Sequence, residues 1–136
     1  MNIKELCPTA SSAIRAMVSG LRQAETRGLR LNMDTFGKVL PDACYGCAAT
    51  ATVMQACGVS PREAIALYTG DMDVQAFELT IDSFRRGSIS YLLKFYDVDA
   101  DKWSEHEDQW YLTIGNALEQ LPRIEAFAQL LEGRGL

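Results

Sequence analysis

Cys44-Tyr45-Gly46-Cys47-Ala48-Ala49-Thr50-Ala51-Thr52-Val53-Met54-Gln55-Ala56-Cys57 holds three of the chain's four cysteines, and its other side chains are almost all small. The run reads as one helix that stops at Gly58, a residue suited to the left-handed conformation just past a helix end. A helix of this composition has two uses. Its backbone can approach a neighbour closely, with Cys44, Cys47 and Cys57 acting as small buried apolar groups beside Ala48, Ala49, Ala51 and Ala56. Alternatively, it presents thiols for chemistry. The first reading makes residues 44–57 the buried centre of the fold, with Thr50 and Thr52 bonding to carbonyls one turn back.

Helical spacing continues on both sides. Pro8, Thr9, Ser11 and Ser12 open a segment with Ile14, Met17, Val18 and Leu21 at helical intervals. That pattern predicts a helix over 9–27, stopped by Gly28. Residues 29–41 have no clean period; Asn32, Asp34 and Gly37 suggest turns, with Met33, Phe36, Val39 and Leu40 tucked inward as a lid-like loop. Ser60-Pro61-Arg62-Glu63 fits a capping box at the start of a helix that runs to Gly70. Asp71 or Asp73 caps the next segment, whose apolar residues Val74, Phe77, Leu79, Ile81 and Phe84 lead to the stop Arg85-Arg86-Gly87. Ser88 opens a short helix over Ile89–Tyr96. Trp110, Ile114, Ala117, Leu118 and Leu121 share one helical face, and Pro122 sits at the first position of a last helix carrying Ile124, Phe127, Leu130 and Leu131. Tyr111-Leu112-Thr113-Ile114 resembles a strand, but the helical period runs through it. The predicted fold is all-α: a compact single domain over 1–136, a bundle of about six or seven short helices.

The 136 residues, 48% hydrophobic and 23% charged, suit one globular domain with one core. A net charge of −5 argues against nucleic-acid or anionic-membrane partners, which need clustered Lys and Arg. Charge is uneven: Lys4, Arg15, Arg22, Arg27, Arg30 and Lys38 outweigh Glu5, Glu25 and Asp34 in residues 1–40, while the densest acidic stretch is Asp97–Asp108. The basic first helix is expected against the acidic later region, with an acidic partner as the alternative. No apolar run approaches the ~20 residues of a membrane span. Met1-Asn2-Ile3-Lys4-Glu5 lacks the apolar core of a secretory signal, so the cytoplasm is the expected location and the cysteines are expected as thiols.

Cys44 and Cys47 form a CxxC pair at a predicted helix start, where backbone amides stabilise a thiolate. The motif is similar to that of helical peroxidases of the alkylhydroperoxidase D type, which add a histidine four residues on and an upstream glutamate. Here Ala51 stands at the histidine position, and no glutamate lies within fifteen residues before Cys44. Zinc would need a second knuckle, whereas Cys7, Cys57 and the lone His106 are scattered.

Asp97-Val98-Asp99-Ala100-Asp101 resembles the first half of an EF-hand calcium loop, with Asp108 at the place of the closing glutamate. Lys102 replaces the turn glycine of that loop, and the competing reading is that Asp99 or Asp101 caps the helix containing Trp103. Trp103, Trp110 and Tyr111 are read as core, with partner anchoring as the alternative. His106 is read as exposed. No Gly-rich phosphate loop or serine–histidine pattern is present, so no cofactor is implied. The leading functional expectation is a non-enzymatic adaptor or regulatory protein acting through protein contacts, self-association included. The alternatives are a thiol-based redox protein using Cys44 and Cys47, and a divalent-cation response through residues 97–108.

Overall fold

The structure, a computed structural model, describes residues 2–70, 73–77, 89–109 and 117–136, and for 69 and 107–109 the backbone course alone. Asn2 caps a single turn, α1 (Ile3–Leu6), by accepting from Lys4 N–H at 2.9 Å. The longer α2 (Ala10–Gln23) starts where the sequence supplies a reciprocal cap: Thr9 N–H donates to Ser12 Oγ at 3.0 Å, and Ser12 N–H donates to Thr9 Oγ1 at 3.1 Å. Such a pair satisfies two of the amides that a helix start leaves without partners. Ala13, Ile14, Met17, Val18 and Leu21 form its buried stripe, as the spacing predicts. The helix ends four residues earlier than expected, and turns carry the chain to Gly28 at φ +88°.

The all-α expectation fails next. Leu29–Leu31 (β1), Lys38–Val39 (β2) and Cys44–Gly46 (β3) form a mixed sheet in the order β1-β3-β2, with β3 parallel to β1 and antiparallel to β2. The stretch 44–57 is therefore not one helix. Its first three residues are the central strand, Cys47 is an extended link, and α3 spans only Ala48–Cys57. Tyr, Gly and Cys are modest or poor helix formers, so pairing on both sides of 44–46 outweighs local preference. Residues 29–41, expected as a loop, supply both partner strands.

Beyond α3 the local signals return. Gly58 ends α3 at φ +65°, in the left-handed region. Glu63 N–H donates to Ser60 Oγ at 3.1 Å at the start of α4 (Pro61–Gly70). Residues 73–77 are helical and bury Val74 and Phe77. The short α5 (Ser90–Phe95) buries Leu92 and Leu93, and a 3-10 helix follows over Ala100–Gln109. The last helix, α6 (Ala117–Glu132), runs straight through Pro122 rather than starting there. Its buried face is Ala117, Leu121, Ile124, Phe127, Ala128 and Leu131, so Leu118, expected on the core face, points outward and is 52% exposed. The expectations for Leu79, Ile81, Phe84 and Arg85-Arg86-Gly87, and those for Trp110, Tyr111 and Ile114, lie outside the described residues.

The helix α3 sits at the centre. It packs against α1, α2, α4 and β3, while α6 closes over the other side of α2. Thr50 and Thr52 are fully buried, and Thr52 Oγ1 donates to Ala48 O one turn back at 2.7 Å. Thr50 instead donates across the fold, to Phe36 O.

The tightest contact is between α2 and α3. A Cβ on Gly20 would lie 2.2 Å from the carbonyl oxygen of Ala51. In an open helix, Gly→Ala stabilises by about 0.5–1 kcal/mol, but overpacking against an immovable backbone atom costs about 1–3 kcal/mol or more. Gly20→Ala is therefore expected to lower unfolding free energy by about 2 kcal/mol net in urea titration. Gly70→Ala, where a Cβ meets nothing within 4 Å, is expected to be neutral or slightly stabilising. Equal tolerance of both substitutions would refute the close crossing.

Candidate functional site

Three elements frame an open cleft of about 630 Å³: the end of α2, strand β1 with the preceding Gly28, and the first turn of α6. Leu21, Leu29, Leu31 and Leu118 give it apolar walls, while Arg22, Glu25, Arg30 and Asp42 supply charge of both signs. Its volume falls within the usual range for ligand pockets of about 300–1,000 Å³.

The charged side chains are held in place. Arg22 donates to Glu125 of α6 at 2.6 Å. Two turns earlier Arg15 makes a two-pronged bond to Glu132, at 2.7 and 3.1 Å. The basic first helix does meet later acidic residues, although those of α6 rather than Asp97–Asp108. Arg15 holds the Glu132 carboxyl below the usual carboxylate range, chiefly through the hydrogen bond. Arg30 Nη1 donates to the Tyr45 hydroxyl at 3.1 Å, with the guanidinium 5.8 Å from the ring centroid. The Tyr45 bond, and then Asp42, favour the charged form of that arginine.

β1 is an edge strand, paired with β3 on one side. Alternation along a strand turns successive backbone groups to opposite sides. Asn32 N–H goes to Gly46 O on β3, at 2.8 Å, and Leu29 N–H turns back to Ala24 O, at 2.8 Å. The same alternation turns the amide and carbonyl of Leu31 away from β3.

The predicted thiol site lies elsewhere. Cys44 is 9% exposed on β3, and Cys47 is fully buried at the start of α3. Cys47 N–H donates to Thr50 Oγ1 at 3.2 Å, and its sulfur lies 3.9 Å from the same oxygen. None of the four cysteines is in a disulfide. Burial pushes the Cys7 thiol up, and neighbouring Cys57 adds to the effect.

In the acidic loop, Asp97, Asp99 and Asp101 are all exposed. Asp99 Oδ1 accepts from Asp101 N–H at 3.1 Å and starts the 3-10 helix, the capping role weighed against calcium. Asp97 takes φ +58°. The side chain of Asp108 lies outside the described residues, among which no three His, Cys, Asp or Glu gather as a metal-binding group. Trp103 is buried edge-on against Phe127, with centroids 5.8 Å apart and the Arg134 guanidinium 5.6 Å from its ring. His106 is half-buried, with Nε2 3.4 Å from Glu105.

Sequence reasoning missed the cleft because its floor is the strand read as a loop. Leu29-Arg30-Leu31 alternates apolar, charged and apolar, a run too short to mark a strand. No family model, curated protein or solved structure matches the chain.

Thr50 joins Phe36, Cys47 and the start of α3 through one hydroxyl. Thr50→Val strips a buried carbonyl and a buried amide of their partner, so a loss of about 2 kcal/mol is expected in denaturant unfolding, with Thr50→Ser retaining most of the stability. For Glu132, whose folded pKa is depressed, the stabilisation is present above the unfolded value of about 4.3 and disappears as pH falls through the folded value. Glu132→Gln is expected to lower the melting temperature slightly at pH 7 and low salt. The difference from the parent chain should vanish once the pH has fallen below the folded value, and shrink in molar salt.

Proposed function

We propose that the protein is a non-enzymatic, cytoplasmic adaptor or regulatory protein that binds a protein partner, or a second copy of itself, in the cleft between α2, β1 and α6. The observation that carries this reading is the exposed leucine at the rim of a recess. Leu118 is 52% exposed beside an edge strand, on a helix whose other apolar side chains are mostly buried. An apolar anchor ringed by charges is the usual make-up of a protein-binding patch. Among the described residues the lining holds no His, Cys, Ser or Thr, its carboxylates are Glu25 and Asp42, and Arg22 and Arg30 are already bonded to Glu125 and Tyr45. A cytoplasmic location is supported by four cysteines without a disulfide.

The test places a photo-crosslinking amino acid at position 118 in the native host, with position 62 on the exposed start of α4 as control. A discrete adduct at 118, lost when Arg30→Glu is added, is the expected result. An adduct of twice 15.1 kDa identifies self-association and any other mass a distinct partner. Equal labelling at 118 and 62, or none at 118, would overturn the reading.

A further inference from the structure

At the end of α6 remote from the cleft, the 3-10 helix and the last turn of the chain enclose a second recess of about 220 Å³. Trp103 fixes this junction. Its ring stands edge-on to Phe127 of α6, with centroids 5.8 Å apart, and lies 5.9 Å from the ring of His106. Past Glu132 the chain winds back on itself: Arg134 N–H and Leu136 N–H both donate to Leu131 O at 3.0 Å, and Gly135 takes φ +74°. That turn brings the Arg134 guanidinium 5.6 Å from the Trp103 ring, a distance at which cation and ring attract. Lys102, next to Trp103 in sequence, supplies a second cation to the same lining. Among the described residues, neither the Lys102 nor the Arg134 side chain has a carboxylate or other hydrogen-bond partner. Glu105 is the one acidic side chain among the described lining residues, and it faces His106, with Oε1 and Nε2 3.4 Å apart. Leu130, 41% exposed, and Leu136 complete the rim. Ser11 Oγ donates to Leu136 O at 2.7 Å and draws that oxygen to the start of α2.

We propose that this recess binds a small organic monocarboxylate, with the carboxylate between Lys102 and Arg134 and an apolar body against Trp103 and Leu130. An arginine held over an aromatic face keeps the N–H donors in its plane, and two of them match the two oxygens of a carboxylate. Lys102 adds a point charge from the other element. With Glu105 already engaged by His106, the two unpaired cations are the groups that an anion would neutralise. A monoanion suits the lining better than phosphate or sulfate. A doubly charged oxyanion would meet the Glu105 carboxylate and gain nothing from the indole and the leucines, whereas an apolar body covers them. The volume lies below the roughly 300–1,000 Å³ of ordinary ligand pockets, which limits the occupant to about one ring. Because Lys102 and Arg134 belong to different elements, an occupant ties the 3-10 helix to the end of α6 and stabilises the folded chain.

The experiment titrates the full chain, labelled with nitrogen-15, with benzoate, with its neutral isostere benzamide and with inorganic phosphate, following the nitrogen–proton NMR spectrum at constant ionic strength. The expected result is saturable benzoate-induced shifts at the Trp103 indole N–H and the Arg134 side-chain N–H. Benzamide should bind at least about tenfold more weakly, and phosphate more weakly than benzoate. The double substitution Lys102→Gln with Arg134→Gln removes two exposed charges and should weaken benzoate by about tenfold or more. Equal affinity for benzoate and benzamide, tighter binding of phosphate, or no saturation by about 10 mM benzoate would overturn the proposal. So would shifts confined to Arg30 and Leu118. The comparison of benzoate with benzamide uses the unaltered chain, so a variant that fails to fold does not rescue the idea. Leu118 and Arg134 lie at opposite ends of α6, and the outcome is independent of whether the cleft binds a partner.

Discussion

The crossing of α2 over α3 at Gly20 and Ala51 is the contact on which the remaining arrangement rests. With a backbone oxygen occupying the place of a missing Cβ, the two helix axes are spaced by main chain rather than by side chains. That spacing explains the composition of α3. A helix touched by α1, α2, α4 and β3 has no solvent face over most of its length, so it is built from Ala, Thr, Val and Met rather than an apolar stripe and a charged one. Close packing on every side also makes α3 intolerant of volume change. By contrast, α6 lies over α2 with long side chains at its rim. Its ion pairs are exposed and screened by solvent, whereas burying Ile124, Phe127 and Leu131 contributes about 1.5–3 kcal/mol each. Packing therefore fixes α6, and the arginine–glutamate pairs set its direction and shape one wall of the cleft.

The same close packing couples the sheet to the helices. A Cβ on Gly46 would fall 2.6 Å from Thr50 Oγ1, and one on Gly37 would fall 2.4 Å from the Ile65 side chain. Gly46 belongs to the central strand and Gly37 to the approach to β2, so each end of the sheet is pressed against a helix through a glycine. The Thr50 hydroxyl is simultaneously donor to Phe36 O and acceptor from Cys47 N–H. A three-stranded sheet with strands of two and three residues is too small to be stable alone. Anchored in this way, it becomes the floor of the recess.

The elements legible in sequence were those written locally. Thr9 with Ser12, Ser60 with Glu63, Gly58, and Asp99 before its helix all satisfy backbone groups within four residues, so residue type is enough to place them. The sheet was not legible. Leu29–Leu31 becomes a strand only by pairing with residues fifteen positions later, and three residues carry no measurable period. Leu118 was misplaced because the phase of α6 was drawn through Trp110 and Ile114, while Leu121, Ile124, Phe127, Ala128 and Leu131 set the buried face. One misread strand and one misread phase hid most of the cleft. Trp103, read as core, is buried against Phe127.

The cysteines show how spacing and chemistry part company. On a helix, residues three apart share a face, which is why Cys44 and Cys47 read as a pair. On extended chain, alternation sends residues three apart to opposite sides, and Cys44–Gly46 with Cys47 is extended throughout, Cys47 having φ −102° and ψ −169°. The strand assignment thus separates the two sulfurs that sequence spacing joined. It also shortens α3 to ten residues, Ala48–Cys57.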